Sequence, residues 1–569
     1  MNPTFLPILA SLGSSTVGGA TNLIVAPLDI FITVSYILGI VGLGLYAGTV
    51  MRRKRSTGES RDYFLAGGTL RWPVIGLALF ATNISCVHLV SLAQSGYDSG
   101  LLNGNFEWMA ALTLVMLSLW FAPFYIKSRV ATLPDFLERR YNRTCRDLLA
   151  VFSLVSAVTI HIGFSFLTGG IVIEKLFGMD FYTGIIIVAV LTAFYTIVGG
   201  LLAVVITEAI QTVILVLGAI VITWFAWDKM GGWDPMIAVL QAEGQMEKLS
   251  MLRPHGDPSG MPWYAILLGY PVLGIWYWCA DQTIVQRVLG AKDVNHARVG
   301  PLFAGLIKIL PVFIFVLPGL LAFTLATSGL LDVSSLTDSE GNVDSKGIYA
   351  VMITELLPTG LIGLMIAALL AALMSTVSGA LNSISTLVAF DIVKRVQPET
   401  PDHKLVTVGR IAAALAMALA IALVPVLNRA PGIFNALNNI IAHIAPPVTC
   451  VFLLGVFWPR THAKAAQWTL ILGGLVGVLV YTLNEIGAQT PLSGIPFMMM
   501  AFYLLCFCVV LQIIFTYVIK GTLSEEARSL CWKSPMEPLA DPGWPGIGNY
   551  KLLSALLLGM MIVLYALFR

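Results

Sequence analysis

The sequence predicts an all-α integral membrane protein with about fourteen transmembrane helices, and three observations predict it. Of 569 residues, 57% are hydrophobic and 11% charged, with a mean hydropathy of +0.85, far from the averages of soluble domains. Apolar runs of roughly 20 residues, the length needed to cross a hydrocarbon core about 30 Å thick, recur from Asp29 to Phe568. Lys and Arg favour alternate loops, as cytoplasmic loops require.

The runs fall near 29–50, 73–97, 105–126, 148–174, 181–199, 203–227, 261–286, 299–327, 358–390, 405–427, 432–458, 465–485, 494–519 and 549–568. One side of this array holds Arg52, Arg53, Lys54 and Arg55, then Arg139, Arg140, Arg143 and Arg146, then Arg287, Lys292, Arg298, Lys394, Arg395, Lys520 and Arg528. The other side holds fewer, among them Lys175, Lys229, Lys248, Arg253, Lys346 and Arg429. The basic side is expected in the cytoplasm of a plasma-membrane protein, with both termini outside. Residues 1–26 have no Lys or Arg to form the basic start of a signal peptide, so an outward lead-in is expected there.

No linker divides the chain, so residues 1–569 read as a single integral-membrane domain. The expected organisation is an extra N-terminal helix at 29–50, a core at 73–458 and extra C-terminal helices at 465–568. The seven cysteines show no metal-ligand spacing or clustering in the outward loops, so neither zinc nor disulfides are expected.

Two spans carry breaks, which free backbone groups that lipid cannot satisfy and so belong beside a protected cavity. The second places Thr82, Asn83 and Ser85 in mid-segment, and in the seventh Gly269, Pro271 and Gly274 precede Trp276-Tyr277-Trp278. The spans lie five apart, the spacing of a five-plus-five inverted-repeat (LeuT-type) core with broken first and sixth core helices and a midplane site. The plainer reading of either span is a Gly/Pro kink in an ordinary helix bundle. Freed carbonyls with hydroxyls suit sodium, a hard cation, and Ser375-Thr376 in the ninth span supplies adjacent hydroxyls. Alone, these also serve close helix packing.

Ordered motifs then carry a resemblance. They are Tyr63-Phe64-Leu65-Ala66-Gly67, Ala81-Thr82-Asn83-Ile84-Ser85, Phe106-Glu107-Trp108, Gly199-Gly200-Leu201 with Gln211, Tyr277-Trp278-Cys279, Asp281-Gln282 and Val285-Gln286-Arg287. By these the chain resembles the solute:sodium symporter family, and Phe-Glu-Trp with Tyr-Trp-Cys resembles its sodium/glucose cotransporter branch. The resemblance implies a co-transported sodium ion held by the carbonyls of Ala81, Ile84 and Ala372 and the hydroxyls of Ser375 and Thr376. It implies solute contacts from Asn83, His88, Glu107, Tyr277, Trp278, Lys308 and Asn438, with Tyr277 as a gate.

Chemistry agrees with that set, because hydroxyl-rich ligands want mixed donors and acceptors around an aromatic face. An ionised side chain within a span costs roughly 3 kcal/mol and is usually functional or paired, which singles out Glu107 and Lys308, with a structural ion pair as the alternative. His88 could equally be a satisfied core residue, and the aromatics could fill the core. Two departures concern the solute: Gly274 stands where some sugar-binding relatives carry Asn, and Asn438 where they carry Gln. A third concerns the ion, since Glu208, Ser378 and Gly379 match positions where two-sodium relatives place an Asp opposite two hydroxyl residues. One sodium per cycle is therefore expected, with Glu208 either a cation ligand or a helix cap.

The expected function is sodium-coupled symport of a small polar solute, a sugar such as glucose or galactose, across the lipid bilayer. Rivals are a polyol, sialic acid or monocarboxylate symporter, a proton in sodium's place, or a membrane sugar sensor that does not transport. No nucleophile, base and orienter set or phosphate loop supports an enzyme, and nothing supports nucleic-acid binding.

Overall fold

The structure, a computed structural model, describes residues 26–51, 59–428 and 433–569. The lead-in up to residue 25, Arg52 to Arg55 and Arg429 lie outside the described residues. Twelve described helices are long and apolar enough to cross a membrane, joined by the shorter apolar helix Trp72–Asn83. Among the described residues, strand pairing is limited to three isolated bridges.

The helices used below are α1 (Pro27–Tyr46), α2 (Glu59–Leu65), α3 (Trp72–Asn83), α4 (Cys86–Ser99), α5 (Asn105–Met116), α6 (Arg143–Ser156), α7 (Phe181–Met230) and α8 (Trp263–Ile275). They continue with α9 (Gln282–Leu289), α10 (Val294–Ile307), α11 (Leu361–Leu387), α12 (Asp402–Leu427), α13 (Ile433–Phe457), α14 (Ala463–Glu485), α15 (Phe497–Val518) and α16 (Tyr550–Leu567).

Burial sorts these helices by solvent. Nearly every residue of α11 is buried, whereas α7, α12, α14 and α16 expose large apolar side chains such as Trp224, Leu415, Leu475 and Ile562. Such faces suit lipid, and helices whose backbone bonds close internally are what lipid permits. The N-terminal helix is tied to the centre by Asp29, whose Oδ1 accepts the N–H groups of Gly360 (2.7 Å) and Gly363 (2.6 Å) at the start of α11.

The sequence separates runs 181–199 and 203–227, and the structure divides the 50-residue segment α7 between them, at the non-helical Gly200 (φ 66, ψ −165). Straight, it would extend about 75 Å at 1.5 Å per residue, more than twice a bilayer core. Instead the backbone at Gly200 divides it into two helices, each long enough to cross one bilayer core. A Cβ at residue 200 would stand 2.5 Å from the Tyr63 carbonyl, and the left-handed φ adds strain, so glycine is required on both counts.

The first break falls where the sequence placed it. Chain direction changes at Ile84 (ψ 97) and Ser85 (ψ 174), between α3 and α4. The second break does not sit at Gly269, Pro271 or Gly274, which remain within α8. Gly269 instead lets the Met498 backbone approach, since a Cβ there would be 2.3 Å from its carbonyl oxygen. The helix continues through a wide turn, Trp276–Ala280, and opens at Asp281 (φ −83, ψ 122), whose carboxylate caps α9 by accepting Thr283 N–H at 2.6 Å.

Candidate functional site

Residues of the first break and of the wide turn that leads to the second line one cavity, with an empty volume of ≈ 750 Å³ counting its open mouth. Asn83, His88, Glu107, Tyr277, Trp278 and Asn438 all line it. Lys308 lies just behind the lining, fully buried, where its Nζ donates to Glu107 Oε2 and Asn83 Oδ1 and stands 5.7 Å from the centre of the Trp278 ring.

These side chains form one polar network. Asn83, the last residue of α3, donates Nδ2–H to the Tyr277 hydroxyl at 3.1 Å while its carbonyl oxygen receives Lys308. His88 reaches the break through Nδ1, 3.1 Å from Ser85 Oγ, and its Nε2 stands 4.0 Å from Glu107 Oε1. Tyr277 leans between His161 and Trp278, with ring centres 5.8 and 5.2 Å away. The network offers donors and acceptors beside aromatic faces, and its two formal charges neutralise each other.

Two further lining residues, His161 and Tyr270, are ones the sequence does not single out. His161 places Nε2 2.9 Å from Asp281 Oδ2, both buried, which joins the helix wall at Ala157–Gly163 to the second break. Its partner is 120 residues away in sequence, so no local pattern could reveal it. Tyr270 is the second, and it accounts for Gly274: a Cβ on Gly274 would meet Tyr270 Cε1 at 2.6 Å and Thr113 Cγ2 at 2.9 Å. The space a longer polar arm would use is filled by Tyr270, whose hydroxyl donates to the Phe106 carbonyl at 3.1 Å.

Deeper, oxygens gather between the first break and α11. Ser375 Oγ lies 2.9 Å from the Ala81 carbonyl and 3.0 Å from that of Ala372, and Thr376 Oγ1 lies 3.3 Å from the Thr82 carbonyl. Ile84 is buried at the break itself. These donors are neutral oxygens, the chemistry that fits a monovalent hard cation, and no cluster of His, Cys, Asp or Glu able to hold a metal occurs among the described residues. Thr82 joins the oxygens named from the sequence.

Glu208 neither caps a helix near the basic face nor stands free for a cation. Its Oε1 takes Arg287 Nη2 at 2.5 Å, its Oε2 takes Arg287 Nε at 3.3 Å, and Thr82 Oγ1 donates to Oε1 at 2.9 Å. Glu and Arg are fully buried, so each is the other's counter-ion. The guanidinium occupies the space beside Gly379, where a Cβ would stand 2.3 Å from Arg287 Nη2 and 3.2 Å from Glu208 Oε1.

A family model described as the sodium:solute symporter family matches residues 63–473. The chain belongs to this family. It is a sodium-coupled solute symporter with sodium as the co-transported ion. The rabbit (Oryctolagus cuniculus) sodium/glucose cotransporter 1 is 30% identical over 92% of this chain and 85% of its own length. The mouse (Mus musculus) sodium/myo-inositol cotransporter 2 is 35% identical over 81% of this chain and 71% of its own. Among solved structures, a Na+-coupled sialic acid symporter in a substrate-bound outward-open state superposes with a TM-score of 0.74 at 21% identity, covering 87% of this chain and 99% of that one. A nucleobase-cation-symport-1 family transporter with bound bromovinylhydantoin gives 0.52 at 13% identity, covering 84% and 99%. At such identities these two carry the shared fold, and that fold is the LeuT type.

Proposed function

We propose that the solute is a neutral polyhydroxylated molecule, a hexose such as glucose or galactose, bound by Asn83, His88, Glu107, Tyr277, Trp278, Lys308 and Asn438. One observation carries this reading: among the described residues no Lys or Arg lines the cavity, and the ammonium of Lys308 behind it is already engaged by Glu107 and Asn83. A carboxylate-bearing solute would enter without a cationic partner, and an unpaired buried charge is costly. This disfavours sialic acid and monocarboxylates, although a sialic acid symporter shares the fold. A polyol remains the rival of similar chemistry, and the mouse relative above is named for myo-inositol.

Sodium held by carbonyls of Ala81, Ile84 and Ala372 and hydroxyls of Ser375 and Thr376 would join the first break to α11. Solute then binds, the bundle rocks, and both leave on the basic face. The Arg287 guanidinium against Glu208 supports one sodium per cycle, because the carboxylate there is already neutralised. One ion suffices: a tenfold gradient supplies about 1.4 kcal/mol and 100 mV about 2.3 kcal/mol, together about 500-fold accumulation. The same reading holds residues 1–569 as one transporter domain, with an inverted-repeat core at 73–458 between the helix at 29–50 and the helices at 465–568, in the plasma membrane with both termini outside.

The test is uptake of labelled glucose into proteoliposomes under an inward sodium gradient, with galactose, myo-inositol, sialic acid and lactate as competitors. Hexoses should compete and the two acids should not. Competition by sialic acid matching that of galactose would overturn the neutral-solute reading.

A further inference from the structure

The basic face holds a second, larger cleft, with an empty volume of ≈ 1620 Å³ counting its mouth, and the proposed transport cycle leaves it without a role. Five cations line it: Arg61, Lys127, Arg129, Lys292 and Lys394. They arrive from separate elements. Arg61 comes from α2, Lys127 from the helix Ala122–Ser128, Arg129 from the left-handed turn that ends it (φ 52), Lys292 from the turn between α9 and α10, and Lys394 from the far extension of α11. Two walls are held in register by a backbone bridge, with Leu70 N–H donating to Gly290 O at 3.0 Å and Lys292 N–H to Leu70 O at 2.9 Å.

An excess of Lys and Arg on this face follows from the bias of cytoplasmic loops alone, so charge by itself decides nothing. Pairing decides. Arg139, Arg146, Arg298 and Arg395, on the same face, each reach a carboxylate. The five cleft cations are all exposed and none lies within ion-pair distance of a described acid. Among the described residues one acid lines the cleft, Asp293, and it is engaged by α10: its Oδ1 accepts His296 N–H at 3.0 Å, with Oδ2 3.9 Å from His296 Nε2. Five like charges around a concave space, with their nearest carboxylate engaged elsewhere, repel one another until an anion enters.

We propose that this cleft is a binding site for a polyphosphate-bearing anion, either the headgroup of a phosphorylated lipid or a soluble phosphate ester. Arg61 and Arg129 offer planar forks for phosphate oxygens, and Lys127, Lys292 and Lys394 act as point charges around them. Basic pockets between helices on a cytoplasmic face are suited to phosphorylated headgroups, and the same donors serve a soluble ester. The assignment is independent of which solute crosses the membrane.

The experiment measures saturable binding of labelled tripolyphosphate to the purified full chain in phosphatidylcholine nanodiscs, with and without a phosphoinositide bisphosphate in the bilayer. The Lys127→Gln/Arg129→Gln/Lys292→Gln variant should weaken binding about tenfold or more. The Lys464→Gln/Lys520→Gln variant, which removes exposed basic-face cations outside the cleft, should bind as the unmodified chain does. Displacement of tripolyphosphate by the phosphoinositide assigns the site to lipid, and undiminished binding in its presence assigns it to soluble esters. Failure of both probes to bind saturably, or equal weakening in the two variants, overturns the proposal. Since the mutated side chains are exposed and unpaired, retained sodium-dependent uptake reports that the variants are folded.

Discussion

Replacing Lys308 by Met leaves Glu107 as a buried carboxylate without its cation. Both residues are 1% exposed, and the ammonium donates to Glu107 and Asn83 together. Breaking a buried pair from one side costs about 3–5 kcal/mol, whereas replacing both members with neutral groups of similar size costs far less. Glu107→Gln alone should cost a similar amount, so the two single losses predict about 6–10 kcal/mol if they added. The pair should therefore show strong coupling, with Glu107→Gln/Lys308→Met more stable than either single variant and coupled by about 2–3 kcal/mol or more. Unfolding in mixed detergent micelles, followed by Trp fluorescence, measures the cycle. Solute affinity should fall in every variant, by roughly tenfold or more where a hydrogen bond to a charged group is lost. Losses that add within about 0.5 kcal/mol would refute the account, because they would mean that the two charges are not each other's counter-ion.

Gly200→Ala should destabilise the chain by about 1–3 kcal/mol from the positive φ alone, and more from the 2.5 Å approach to the Tyr63 carbonyl; melting in detergent reads it, and an unchanged melting temperature contradicts the break at Gly200. Gly379→Ala should displace the Arg287 guanidinium and cost about 1–3 kcal/mol, and Gly379→Ala melting no lower than the unmodified chain would remove that close approach from the account. In the loop outside the spans, Lys248 donates Nζ–H to the carbonyls of Tyr97 (3.0 Å) and Asp98 (2.5 Å), and burial, opposed by the charge of Asp98, lowers its pKa below the usual 10.5. The folded chain then releases this proton before the unfolded chain does, so stability should rise with pH between the lowered value and 10.5 and fall as pH drops through it. Relative to Lys248→Met, the unmodified chain should gain melting temperature across that window, and parallel pH profiles would count against the shift.

Much of this molecule is legible in its sequence because lipid imposes length and hydropathy on every span. The first break was readable for the same reason, since Thr82, Asn83 and Ser85 are polar where lipid tolerates none. The second lies elsewhere than Gly269, Pro271 and Gly274 suggest: all three stay within α8, the two glycines permit close packing against Met498 and Tyr270, and the true opening at Asp281 has no such signature. Partners distant along the chain were invisible. Glu208 finds Arg287 79 residues away and His161 finds Asp281 120 residues away, and only the packing of α7, α9 and the Ala157–Gly163 turn brings them together. The solute and sodium positions came from a resemblance carried by ordered motifs, and the bare composition of α11 would have left Ser375 and Thr376 as packing residues. Gly274 read as a lost polar arm, because the ring that fills its space belongs to Tyr270 on the preceding turn.

In the proposed mechanism sodium binds between the first break and α11 and drives a sugar inward. Uptake of labelled glucose and galactose into proteoliposomes, with and without an inward sodium gradient, tests it when the unmodified chain is compared with Ser375→Ala/Thr376→Ala. Sodium-dependent accumulation is expected in the unmodified chain and is expected to be lost in the double variant, with the variant still folded by its melting curve. Accumulation that ignores the sodium gradient, or that survives unchanged when both hydroxyls are removed, would contradict it.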